Sequence, residues 1–144
     1  MTRSPVTKLP STKVIRFPDP VFLRSIVVVI GPRSLWTKEA ERLGVPRAES
    51  DFSDGCAYTL ALKKGGSEML LILLPEYDGS VNWYDGLVHE VAHAVDRVFD
   101  STCVPPGVAS AETRAYLSGF YFSSVLRGLG GKTVKVALDG APTT

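Results

Sequence analysis

His89-Glu90-Val91-Ala92-His93 contains both histidines of the chain. On a helix, positions i and i+4 share a face and lie about 6 Å apart along the axis, at about 1.5 Å per residue. Two imidazoles so placed can hold one zinc ion through bonds of about 2.0–2.1 Å. Glu90, the residue after the first histidine, points to the flank of that face. From there its carboxylate can take a proton from a zinc-bound water instead of binding the metal. The chemistry implied is metal-assisted hydrolysis with one zinc per chain.

Two histidines leave such a site short, because catalytic zinc usually has three protein ligands and an open fourth position. The chain has no third histidine, so the third ligand must be a carboxylate or a cysteine. Glu112 is the best candidate. It lies near the start of a second helical segment, Ser110 to Phe120, whose N-cap is expected at Ser110. Pro105-Pro106-Gly107 is a turn signal that lets this segment fold back antiparallel to the first, bringing Glu112 opposite the histidines. Cys103, in the loop between the helices, could also approach the metal. Asp96 shares the histidine face and can either orient a ring through its second N–H or stand as a solvated charge. Tyr116, one turn after Glu112, either donates its hydroxyl to a developing oxyanion or packs over the metal helix and bonds a backbone carbonyl.

The spacing His89-Glu90-Val91-Ala92-His93 followed by Glu112 resembles the glutamate zincins, the thermolysin-like class of zinc peptidases. The strings His89 to Asp96 and Ala111-Glu112-Thr113-Arg114-Ala115-Tyr116-Leu117-Ser118-Gly119-Phe120 are similar to short metallopeptidases encoded by tailed phages and prophages. In that group an H-E-x-x-H-A helix is followed by a helix reading E-A-x-A-Y-L-x-G-Y. The likeness covers roughly residues 56–127. Thr113 and Phe120 depart from the pattern without touching a proposed ligand. The resemblance implies a peptide or protein substrate, zinc held by His89, His93 and Glu112, and Glu90 as general base. It also implies an edge strand beside the metal that binds substrate backbone by strand addition.

The elements that must position these residues are legible in outline. Asn82 and Asp85 have the spacing of an N-cap and its acidic partner, which predicts a helix from near Trp83 to about residue 99. Leu87, Val88, Val91, Ala92, Ala94, Val95, Val98 and Phe99 make it a largely buried element. Upstream, Ser25 to Ile30 is a β-branched run ending at Gly31-Pro32 and reads as a buried strand. Ser34 to Leu43 reads as a short helix stopped by Gly44 and Pro46. Cys56 to Leu62 and Met69 to Leu74 flank Lys63-Lys64-Gly65-Gly66-Ser67 as a hairpin, one of whose strands would be the substrate edge. The order strand, helix, strand, strand, zinc helix, glutamate helix predicts an α+β fold: a minimal zincin-like domain with a small twisted sheet and backing helices.

With 144 residues, 44% of them hydrophobic and 22% charged, the chain suits one globular domain. That domain is expected over residues 21–138, with a flexible arm over 1–20 and a tail over 139–144. A net charge of +1 argues against nucleic acid or a charged membrane surface as partner. The basic residues Arg3, Lys8, Lys13 and Arg16 read as part of a solvated arm. No run approaches the ~20 apolar residues of a membrane span, and no signal-peptide core is present, so a cytoplasmic protein is expected. Cys56 and Cys103 are expected to be free thiols. A different class of function fits the same motif: a zinc-binding or zincin-fold interaction module that hydrolyses nothing. Retention of Glu90, which a purely structural site does not need, favours the hydrolase.

Overall fold

The computed structural model describes residues 9–53, 55–64, 66–105 and 107–131. Four strands, β1 (Lys13–Pro18), β2 (Ser25–Ile30), β3 (Tyr58–Lys64) and β4 (Ser67–Leu74), form one mixed sheet in the order β1-β2-β4-β3. β1 and β2 are antiparallel, β2 and β4 parallel, β3 and β4 antiparallel. Helices α1 (Arg33–Arg42), α2 (Val81–Ser101) and α3 (Val108–Leu129) complete an α+β fold. A parallel pair needs a crossover connection, and α1 lies within the one that joins β2 to β4.

The two central strands explain why their sequences are unbroken apolar runs. In β4, Leu70, Ile72 and Leu74 pack beneath α2 and α3, while Leu71 and Leu73 pack on the opposite face with Trp36 and Ala40 of α1. β2 divides in the same way, with Ile26, Val28 and Ile30 on one side and Val27 and Val29 on the other. A strand covered on both faces has no polar side to alternate with. β3 sorts its residues by size. Tyr58, Leu60 and Leu62 pack with the α1 cluster, and the small Ala61, with Ala57 just before the strand, lies on the α2 side.

Several expected boundaries shift. The segment expected as a loose arm over residues 1–20 contains β1, because Ile15 and Phe17, on either side of the exposed Arg16, share one face and are buried at 5% and 3% exposure. α2 starts at Val81 and not near Trp83. Its N-cap is Ser80, whose hydroxyl accepts from the Trp83 N–H at 3.1 Å, in place of the expected Asn82. α3 begins at Val108 with Gly107 as N-cap. Ser110, expected to cap it, is instead buried inside the first turn and donates to the carbonyls of Pro105 and Gly107. α3 also runs nine residues past Phe120, to Leu129. The expected domain end at 138 and the tail over 139–144 lie outside the described residues. Among the described residues, no helix is long and apolar enough to cross a membrane.

Candidate metal centre

The phase of α2 is fixed before the histidines are reached. The Trp83 indole N–H donates to the Pro75 carbonyl at 2.9 Å, tying the first turn of α2 to the end of β4. From that anchor Leu87, Val91, Ala94, Val95 and Val98 turn toward the sheet and are buried. The rest of the helix face follows from 3.6 residues per turn. His89 and His93 point away from the core and are exposed, and Glu90 points sideways toward β3. Val88, expected in the core, is 56% exposed because it shares the outer half of the helix with the histidines.

The two imidazoles converge. His89 Nε2 and His93 Nε2 lie 3.0 Å apart, with ring centroids 4.6 Å apart and the rings nearly perpendicular. Two nitrogens bound tetrahedrally at 2.0–2.1 Å stand about 3.3–3.4 Å from each other. The pair is therefore within a few tenths of an ångström of the separation that one zinc ion needs.

Glu90 is 5% exposed, and a buried carboxylate must be hydrogen-bonded to remain ionised at low cost. Its partner is Thr59 of β3, whose hydroxyl donates to Glu90 Oε2 at 2.6 Å and lies 3.1 Å from the Glu90 carbonyl. Histidines, carboxylate and strand together enclose an open groove of about 750 Å³. One wall is β3 with the residue before it, from Ala57 to Ala61, and the other is α2, through His89, Glu90, His93, Asp96, Arg97 and Asp100. β3 is an outer strand of the sheet. Of the two hairpin strands, it is the one that lies at an edge, beside the histidines.

The remaining expected site residues are distributed differently. Asp96 lines the groove one turn beyond His93, but its carboxylate accepts from Arg114 Nη1 at 2.7 Å. Arg114 also lies over the Phe99 ring, 4.2 Å from its centroid, and so bridges α3 to α2. Glu112 is exposed on α3 and is not among the groove residues. Tyr116 is 50% exposed and stacks on Phe120, which packs edge-on against Phe17 of β1. That contact places Tyr116 on the β1 flank of α3, whereas Arg114 marks the flank facing α2. Among the described residues, no three His, Cys, Asp or Glu side chains are grouped closely enough to hold one ion. The structure thus brings His89, Glu90 and His93 together at the groove, while Glu112 and Tyr116 are exposed on α3 and are not among its lining residues. Cys56 and Cys103 are both free and exposed.

Thr59 and Arg114 are the two site contacts that sequence reading misses. A signal for Thr59 exists in retrospect. It is the polar member of the small triplet Ala57, Thr59 and Ala61 on one face of a strand whose other face is large and apolar. No protein-family model, curated protein or solved structure matches the chain.

Proposed function

We propose that this chain is a zinc-dependent metallopeptidase of the glutamate zincin type, similar to the short phage-encoded enzymes, that hydrolyses peptide bonds in extended segments. The observation carrying this reading is the convergence of His89 and His93 Nε2 at 3.0 Å, beside a buried Glu90, in a groove walled by an edge strand. Zinc bound there supplies a Lewis acid for the scissile carbonyl and lowers the pKa of water toward neutrality. His89 and His93 would hold it, with Glu112 proposed as third ligand on the strength of the motif spacing.

The protein's own part begins with β3, which offers backbone groups to an extended peptide and sets the scissile bond alongside α2. Glu90 takes the proton of the attacking water and passes it to the leaving amine, a role worth about 10²–10⁴ in rate. The Thr59 hydroxyl fixes where that buried carboxylate sits. Tyr116, on the far flank of α3, enters no step.

A second reading keeps the metal and drops the reaction: a zinc-binding interaction module. It needs neither a free base nor an open position on the ion. The test is Glu90→Gln, assayed on a mixture of unstructured peptides by mass spectrometry, with zinc content measured in parallel. The peptidase reading expects cleavage by the wild type, its loss in the variant, and equal zinc in both. Absence of zinc-dependent cleavage by the wild type, or equal cleavage by the variant, would favour the module.

A further inference from the structure

Glu90 lies next to a donor pair that is short of ligands, and carboxylates bind zinc readily at about 2.0–2.2 Å. The helix turns this carboxylate to the flank of the histidine face, and a contact that holds it there keeps it free to act as a base. Thr59 is placed to do so. A threonine hydroxyl has a single proton, and it can go to Glu90 Oε2 at 2.6 Å or to the Glu90 carbonyl at 3.1 Å. The carbonyl belongs to the interior of α2, where it already serves the helix ladder. The shorter contact is to a charged acceptor and is the stronger of the two. Thr59 itself is held by the sheet, since it is paired with Ile72 in the middle of the β3–β4 hairpin.

We propose that Thr59 decides the role of Glu90: its hydroxyl tethers the carboxylate to β3, so that Glu90 acts as base beside the metal and not as a ligand to it. Thr59 is a positioning residue, acting through Glu90. It also ties the general base to the strand on which substrate would lie. This inference rests on the reading of the histidine pair as a zinc site.

The experiment is a competitive zinc(II) titration of metal-free protein against a chromophoric chelator, with folding checked by circular dichroism. Thr59→Val keeps the shape and β-branching and removes the hydroxyl. It frees Glu90 to join the ion, and zinc should bind roughly tenfold tighter than to the wild type, the scale of one hydrogen bond to a charged group. Thr59→Ser retains the donor and should bind as the wild type does. The gain must vanish in Thr59→Val/Glu90→Gln, because the amide is a poor zinc ligand. Thr59→Ala removes the same hydroxyl and must show the same gain if Thr59→Val does not fold. Unchanged affinity in the hydroxyl-free variants, or a gain that survives Glu90→Gln, overturns the tether. No zinc on the wild type overturns the metal site itself and the tether with it.

Discussion

At the residue scale, the spacing of His89 and His93 does most of what the site requires. Four residues on a helix bring two rings to one point, and the observed 3.0 Å between their Nε2 atoms is close to the separation set by a single tetrahedral ion. Removing either ring should therefore cost most of the zinc affinity. His93→Ala is expected to weaken zinc binding at least about a hundredfold, measured by chelator competition, while the exposed position limits any loss of fold stability to about 0.5 kcal/mol. The Asp96–Arg114 pair is a contrasting case. With the Asp96 side chain 65% exposed, their 2.7 Å contact is worth under about 1 kcal/mol. Asp96→Asn should accordingly unfold at nearly the same denaturant concentration as the wild type, whereas Arg114→Ala also removes the contact over Phe99 and should cost more. The motif residues were legible because their chemistry is written in local spacing. Thr59 was not, since its partner Glu90 lies on another element and only the register of β3 against α2 joins them.

At the scale of elements, a buried tie outside the sheet joins α3 to the turn from β1 to β2. Asp19 is fully buried, and its carboxylate accepts from the backbone N–H groups of Val21 and Phe22 at 2.7 and 2.8 Å. The Tyr121 hydroxyl of α3 donates to its other oxygen. Burial, together with the hydrogen bond and the negative charge of Asp19, pushes the Tyr121 pKa well above that of an ordinary tyrosine. The phenol therefore stays protonated and keeps its donor role through any working pH. Tyr121→Phe leaves one buried carboxylate oxygen without this donor and should cost about 1–3 kcal/mol in urea denaturation. A loss under about 0.5 kcal/mol would remove this link from the account of how α3 is held. Gly128 reports the same docking further along, because a Cβ there would overlap the branched side chain of Ile15. Gly128→Ala should destabilise by about 1–3 kcal/mol despite its gain in helix propensity.

The helices and the three later strands were readable from periodicity, since Ser25–Ile30 and Met69–Leu74 are continuous apolar runs and α2 carries a helical stripe. β1 was hidden by its setting. Its alternation covers only Ile15 and Phe17, and a flank of proline, threonine and basic residues resembles a tail. Capping was misread for a similar reason. Ser80, Asn82 and Ser110 are all competent caps by type, and the choice among them is made by where Trp83 is anchored and by the Pro105 and Gly107 carbonyls that Ser110 meets.

At the scale of the whole molecule, the sheet separates two apolar layers, and the site lies where α2 passes beside the edge strand β3. The core fixes α2, and the groove between α2 and β3 is open. Such a preformed pair predicts that zinc binds the folded chain and not the unfolded one. At a free zinc concentration of one hundred times Kd, stability should rise by about 2.7 kcal/mol, or about 5–10 °C in Tm for a chain of this size. The rise should disappear with a chelator and be absent from His93→Ala.

The most direct test of the central claim is the zinc content of the purified chain, by elemental analysis of wild type, His93→Ala and Glu112→Ala. The proposed site predicts one zinc per wild-type chain, none in His93→Ala and a weakened, easily chelated ion in Glu112→Ala. Wild-type protein that remains folded and takes up no zinc when it is supplied would contradict the claim.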